Sequence, residues 1–427
     1  MGAAATAGVL ARNASATDDV NSKIRAAVIG VYGRGKTHIK GFQAAPGTEV
    51  VALCDPDEEW LGKRAHDFEQ QYGRKVDTVK DMRTLFDRDD IDVVGIATPN
   101  HWHTLATIWA CEAGKDVYCE KPGSHNLFEG RQLIAAAKKY NRIVQHGVQL
   151  RSNPELQRAV QLLREGVIGE VYMARSLVFK RRASIGKKPA EAPPAHLDWN
   201  LWQGPAQERP FSKNIVHYNW HWQWEYGNGD IGNQGVHEND MAYWGLNATV
   251  DGELGLPTDI GAMGGKYLWD DDRATPELLS SSLIYPEQKK MIQVEVRPWL
   301  SNREQNVKVG NFFYGTQGYM VITAYNKFET YLGEQAEPGP KGSSGNPNQA
   351  HFDNFIAAVR ARDTSVLNAP VETAHLSSGL AHLANTSYQL QRRLKFDPAT
   401  ETFPGDREAD ALSTREYRAP FVVPKLV

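Results

Sequence analysis

The sequence predicts two joined domains: an α/β domain with a doubly wound parallel sheet, then an α+β domain on a large, open, mainly antiparallel sheet. Three observations carry this expectation. Apolar strand-like runs alternate with helical stretches from Lys23 to about Gln149. A glycine-rich turn, Gly30-Val31-Tyr32-Gly33-Arg34-Gly35, separates the first strand from the first helix. After Gln149 the texture becomes strand-rich, with period-two alternation. A length of 427 residues suits two or three domains. The boundaries read as 1–22 for an extension, 23–149 for the first domain and 150–427 for the second.

IRAAVIG (24–30) is a short apolar run ending in glycine, and THIKGFQAA follows as a helix. EVVALCD (49–55) is the second strand, with a charged helical stretch running to Tyr72. VDTV, the helix DMRTLFD and the buried-strand run IDVVGIAT (91–98) come next. TLATIWACEAG closes on Gly114, a good helix stop. DVYCEKP is a strand, EGRQLIAAAKKY a helix and IVQHGVQ a strand. Strands separated by helices of this length argue a parallel sheet.

In the second domain LQRAVQLLREG is a helix and VYMARSLVF begins the strands. MIQVEV alternates Ile292, Val294 and Val296 with Gln293 and Glu295, which suits a sheet with one solvated face. NVKVGNFFYGT and GYMVITAY are further strands, and PGPKGSSGNPN (338–348) reads as a surface loop. Two helices close the pattern, one presenting Phe352, Phe355, Ile356 and Val359, the other repeating Leu376, Leu380, Leu383, Leu390 and Leu394. Both are expected on one side of the second sheet.

Composition narrows the function classes. Hydrophobic residues at 41% and charged residues at 23% are globular values, which excludes a disordered or collagen-like chain. The 48 basic and 51 acidic residues leave a net charge of −3, so no bulk charge recruits nucleic acid or anionic lipid. No run approaches the roughly 20 apolar residues of a membrane-spanning helix. Three cysteines cannot build a disulfide framework. GAAATAGVL (2–10) followed by Ala14-Ser15-Ala16 resembles the apolar part and cleavage site of an export signal, although a basic start is missing. A periplasmic or secreted location is therefore expected, with a flexible extension on a cytoplasmic protein as the alternative.

The turn at Gly30–Gly35 carries the first chemistry. Glycines between a strand and a helix let a pyrophosphate approach the backbone at the positive helix N-terminus. Gly30 and Gly35 match the outer positions of the G-x-G-x-x-G pattern; Tyr32 stands at the middle one, with Gly33 a residue later. Asp55 ends the second strand twenty residues after Gly35. A carboxylate there accepts ribose hydroxyls and repels a 2′-phosphate, so NAD is expected ahead of NADP.

Lys121, in Cys119-Glu120-Lys121-Pro122, follows a strand whose carboxyl end is where such sheets bind ligands. A lysine there can hydrogen-bond a substrate hydroxyl and aid its proton loss. The fourteen residues from Gly227 to Asp240 concentrate glycines, amides, carboxylates and His237. If helical from about Gly232, Asn233 and His237 share a face, and His237 suits a general base near neutral pH.

Together these segments resemble the glucose-fructose oxidoreductase / inositol dehydrogenase / rhizopine-catabolism (Gfo/Idh/MocA) family, in its bacterial secreted branch, over about residues 24–400. GVYGRGKTH is similar to that family's cofactor turn and ALCDPD to its second-strand acid. ATPNHWH (97–103) resembles the segment beside the nicotinamide, CEKP carries the signature lysine, and GNGDIGNQGVHENDMAYWGL resembles the motif with the catalytic Asp-x-x-x-His pair. The resemblance implies a Rossmann first domain and a homodimer or homotetramer. It places Lys121 and His237 in the catalytic positions, and Thr98, Pro99, Asn100, His103, Glu120 and Arg34 beside the cofactor.

One departure stands out. Asn233 occupies the family's aspartate position, and an amide cannot take a proton. His237 is then the expected base, helped by Lys121 or Asp230. Five of the 11 tryptophans lie between 199 and 224, and flat aromatic faces suit sugar rings. Arg151, Trp222 and Trp224 join Asn233 and His237 as candidate substrate contacts. The pairs His217/His221 and His101/His103 lack further ligands at a recognised spacing, so no metal is expected. Lys180-Arg181-Arg182 with Lys187-Lys188 reads as a solvated loop at the rim of the site.

The expected activity is NAD-dependent oxidation of a sugar, cyclitol or glycoside, with the cofactor held through turnover if the protein is exported. The alternative is redox-neutral glycoside hydrolysis on the same scaffold, by oxidation, elimination, water addition and reduction. A non-enzymatic sugar-binding or cofactor-sensing role is the third class.

Overall fold

The computed structural model of the chain describes residues 23–299 and 303–427. The expected export segment, 1–22, lies outside them. The first sheet contains β1 (Ile24–Ile29), β2 (Thr48–Cys54), β3 (Asp77–Val79), β4 (Val93–Ile96), β5 (Asp116–Glu120) and β6 (Val144–Gly147). All pair in parallel, in the order β3-β2-β1-β4-β5-β6. The order reverses between β1 and β4, so a crevice opens beyond their carboxyl ends. Nearly every residue of β1, β2, β4 and β5 is buried, as helices on both faces require. The helix Glu58–Tyr72 starts where the Asp57 side chain accepts from the N–H groups of Glu59 and Trp60, and stops at Gly73.

The second sheet contains β7 (Val171–Phe179), β8 (Asp259–Gly265), β9 (Leu278–Tyr285), β10 (Lys290–Arg297), β11 (Val309–Gly315), β12 (Gly318–Ala324), β13 (Lys327–Leu332), β14 (Glu337–Ser343) and β15 (Leu394–Lys395). Its order is β14-β13-β12-β11-β7-β10-β9-β8-β15, and only β7 and β10 run parallel. Ile292, Val294 and Val296 point inward from β10, while Gln293 and Glu295 stay part-exposed. The long connection from β7 to β8 carries the tryptophan-rich segment and the helices Gly229–Asn233 and Gly235–Asn247.

Three expectations change. The stretch 338–348, read as a loop, is mostly β14; Pro338 and Pro340 are tolerated because β14 is an edge strand. Leu394 lies on β15 rather than on the helix Val371–Leu390. The helix Asn348–Ala361 packs on the first sheet and not on the second. Its Phe352 stacks on Tyr118, with centroids 4.4 Å apart, and sits 5.1 Å from Phe42. Buried Phe421 and Val423 near the chain end also pack on the first domain. The periodicity identified an apolar face but not the face that covers it. Phe352→Ala should lower unfolding free energy by about 3–5 kcal/mol, the usual cost of emptying a buried phenylalanine site. Urea unfolding checks this; a loss below about 1 kcal/mol would mean the helix is not anchored there.

Among the described residues no helix is long and apolar enough to cross a membrane. The three cysteines are buried and unpaired.

Candidate active site

A cleft of about 760 Å³ lies at the switch point between β1 and β4, where the two domains meet. Gly30 leaves β1 with φ +85°, and a Cβ there would stand 2.7 Å from the backbone of Ala97 and Thr98. A Cβ on Gly35 would meet the Gly30 carbonyl oxygen at 2.0 Å. Those two glycines are needed to bring the turn, β4 and the helix Gly35–Ala44 together. Gly33 instead faces open space. The turn thus presents bare backbone beside a helix N-terminus, which fits a dinucleotide pyrophosphate. Tyr32 turns aside and stacks on His217, with centroids 4.6 Å apart.

Asp55 lines the same cleft. Its carboxylate accepts from the N–H of Val31 at 2.8 Å and of Asp57 at 3.1 Å, so it also braces the glycine turn. Burial pushes its pKa up to about 6, against the pull of those two N–H groups. The lone pairs left over suit ribose hydroxyls. A nicotinamide dinucleotide fits these residues.

At the other end, Glu120 is buried and accepts from Arg34 Nε at 2.7 Å, and from the side chains of His38 and Gln149, each at 3.2 Å. Burial alone would raise its pKa, but Arg34 and His38 hold the carboxyl well below the usual range. Lys121 Nζ donates to the Asn233 backbone oxygen at 2.9 Å and to Asn233 Oδ1 at 3.0 Å. Burial lowers its pKa to about 8; Glu120 opposes the fall and Arg34 adds to it. His237 opens into the cleft from the first turns of Gly235–Asn247, a helix anchored by buried Val236, Met241 and Leu246. Burial, then the Lys121 charge, drives its pKa well below that of a free imidazole. Its Nδ1 is buried without a hydrogen-bond partner. The chemistry on offer is a neutral imidazole beside a cationic amine fixed by an amide.

Gly30, Tyr32, Gly33, Arg34, Asp55, Thr98, Pro99, Asn100, His103, Glu120, Lys121, Asn233 and His237 all line the cleft. His103 sits between two carbonyls, Nδ1 at 2.5 Å from that of Pro122 and Nε2 at 2.8 Å from that of Thr98, and the neutral ring donates to one of them. It brackets two loops.

Four predicted residues lie elsewhere. Asp230 is buried against Arg182, whose Nε donates to it at 2.9 Å. Burial would raise its pKa, but Arg182 and then His221 hold it below the usual carboxylate range. Arg182 is consequently buried and not part of a solvated rim loop. Trp222 is buried over Arg273 and Arg182, its Nε1 donating to Asp230 at 3.1 Å. Arg151 forms a forked ion pair with buried Asp240 at 2.9 and 3.0 Å. Trp224 borders a separate, smaller cavity. Of the five tryptophans between 199 and 224, Trp202 and Trp220 line the cleft.

Sequence reasoning also missed Tyr325, Gln149 and His217 in the cleft wall. Tyr325 follows β12, with its ring centroid 5.5 Å from that of His237, and no local pattern marks it. His101 is a core group, its Nε2 2.9 Å from the Trp202 carbonyl. Among the described residues no group of three or more His, Cys, Asp or Glu is arranged to hold a metal.

A Rossmann cofactor crevice with Lys121 at the end of β5, facing Asn233 and His237 of the open-sheet domain, defines a class of NAD-binding oxidoreductases. Residues 24–148 match the oxidoreductase family with an NAD-binding Rossmann fold, and residues 177–256 and 311–423 match the C-terminal alpha/beta domain of that family. The chain belongs to the Gfo/Idh/MocA family of NAD-binding oxidoreductases. It is similar to levoglucosan dehydrogenase of Pseudarthrobacter phenanthrenivorans, 29% identical over 47% of this chain and 42% of that one. It is also similar to glycosyl hydrolase family 109 protein 1 of Shewanella sp. (strain ANA-3), 31% identical over 35% of this chain and 33% of that one. The matched stretches therefore span less than half of these relatives. The fold is shared with aldose-aldose oxidoreductase of Caulobacter crescentus in complex with glycerol, at TM-score 0.65 and 18% identity, covering 88% of this chain and 100% of that one. A levoglucosan dehydrogenase structure with NADH and levoglucosan aligns at TM-score 0.65 and 18% identity, over 88% and 99% of the two chains.

Proposed function

We propose that the protein is an NAD-dependent oxidoreductase acting on a sugar, cyclitol or glycoside, with Lys121 and His237 handling the hydroxyl proton. The observation that carries this is the Lys121 ammonium, held by both oxygens of Asn233 in the wall that His237 also lines. Bound NAD supplies the hydride acceptor. Lys121, as a cation, donates to the substrate hydroxyl oxygen and makes its proton easier to lose. His237, kept neutral by burial, receives that proton. Asn233 orients Lys121 and cannot itself take a proton. Trp220, part-exposed in the cleft wall, offers an apolar ring face to a sugar. The test is mass spectrometry of the small molecules released on denaturation, followed by NADH formation across a panel of sugars, cyclitols and glycosides. If neither a dinucleotide is bound nor any substrate reduces NAD, the reading is wrong.

Asp55 supports NAD over NADP. Its carboxyl is charged above about pH 6 and neutral below, so repulsion of a 2′-phosphate should weaken as pH falls through 6. The NADP-to-NAD ratio of dissociation constants should therefore be larger at pH 8 than at pH 5, as measured by fluorescence titration. A ratio near one at both pH values overturns the preference. Because a phosphate monoester also loses its second proton near pH ~6, Asp55→Asn is the control: its ratio should be smaller than that of wild type at pH 8.

The relatives named glycosyl hydrolase family 109 support a second reading, redox-neutral cleavage of a glycoside. Aglycone release without net NADH selects it; stoichiometric NADH selects the first. Export with cleavage after Ala16 and assembly as a homodimer or homotetramer complete the proposal. N-terminal sequencing of protein from a secreting host and light scattering check them.

A further inference from the structure

The chain between β7 and the helix Gly229–Asn233 leaves the second domain and docks on the loop that carries Asp55. The Glu58 N–H donates to the His196 carbonyl at 2.9 Å, and the Asp198 N–H to the Pro56 carbonyl at 3.0 Å. Between them lies Asp57, with a side chain fully buried. His196 Nδ1 stands 3.0 Å from Asp57 Oδ1, and His217 Nε2 stands 2.9 Å from Asp57 Oδ2. The Asp57 N–H bonds Asp55 Oδ1 at 3.1 Å, so the same residue positions the cofactor-facing carboxylate. His217 then stacks on Tyr32 of the glycine turn. A second anchor lies further along, where Trp102 Nε1 donates to the carbonyls of Leu201 and Trp202, both at 3.1 Å. Leu201, Trp202, His217 and Trp220 of this segment line the same cleft as Asp55 and Pro56.

We propose that this segment is a strap over the dinucleotide cleft, locked by Asp57 through His196 and His217, so that the cofactor is a resident group and not one exchanged at each turnover. The proposal rests on the reading of the cleft as an NAD site. Two imidazoles from one domain on one buried carboxylate of the other form a contact that opening must break at a cost. Burial would raise the Asp57 pKa, but His217, the Trp60 N–H and His196 hold it below the usual carboxylate range, so the carboxylate stays charged. Buried contacts to a charged group are worth more than neutral ones. Asp57, His196 and His217 are positioning residues here; none is assigned contact with the reacting atoms.

The experiment measures the dissociation rate of bound NADH from its fluorescence, in wild type, in Asp57→Asn and in the double variant His196→Gln/His217→Gln. Hydrogen exchange over residues 190–220 is followed in parallel on the cofactor-free protein. Each variant should release NADH faster, by roughly ten- to a hundredfold, the size expected on losing a hydrogen bond to a charged group. Exchange over 190–220 should rise in the same variants while that of β1 and β4 stays unchanged. Unchanged release rates in both variants overturn the strap. If Asp57→Asn fails to fold, the histidine pair still decides, because both side chains are at the surface of the contact and not in the core of either sheet. A wild type that binds no dinucleotide overturns the cofactor reading itself, which the release rates separate from failure of the lock.

Discussion

His237→Ala is expected to lower turnover by roughly 10²–10⁴, the usual contribution of a positioned general base. Cofactor affinity should change little, because the Gly30–Gly35 turn and Asp55 lie on the other domain. The structure sharpens what the pH profile should show. Burial, then the Lys121 charge, lowers the His237 pKa, which favours the neutral imidazole that a base requires. Lys121, lowered to about 8, loses its charge as pH rises through that value. If the cation is the active form, oxidation should fall above about pH 8. Asn233→Asp places a carboxylate against the ammonium, favours its charged form and should move that limb to higher pH. Steady-state rates from pH 6 to 10 on wild type and both variants decide. Near-full activity in His237→Ala, or a limb indifferent to Asn233→Asp, removes these residues from the proposed roles.

Asp230→Ala is expected to act on stability and not on the chemical step. Asp230 and Arg182 are both buried, and removing one partner leaves the other charge without compensation. Such losses cost about 3–5 kcal/mol. Trp222 would also lose the acceptor for its Nε1. Thermal and urea unfolding should shift strongly, while kcat of the folded fraction stays within a small factor of wild type. A stable Asp230→Ala protein with a 10²-fold lower kcat would return Asp230 to the catalytic set.

The contrast between His237 and Asp230 shows what one chain reveals without its fold. Both stand in the same fourteen residues and both are plausible proton-handling groups. Their spacing along the chain does not say which faces the cleft. The structure decides because Arg182, far off in sequence, folds back onto Asp230. Trp222 and Trp220 differ in the same way: two residues apart on a single short turn, one is buried between arginines and the other lines the cleft.

The sequence by itself determined the parallel sheet and the antiparallel sheet, and it singled out the glycine turn, Asp55, Lys121 and His237, which the fold brings to one cleft. Strand and helix periodicities are local, and the turn's glycines are demanded by backbone contacts within the turn and beside it. Only the tertiary structure decided that Asn348–Ala361 covers the first sheet, that Arg151 and Arg182 serve buried carboxylates, and that His196 and His217 meet at Asp57. Those outcomes depend on pairings between segments distant in the chain. An amphipathic face or a lone charge specifies that it needs a partner, and the folded topology alone selects which one.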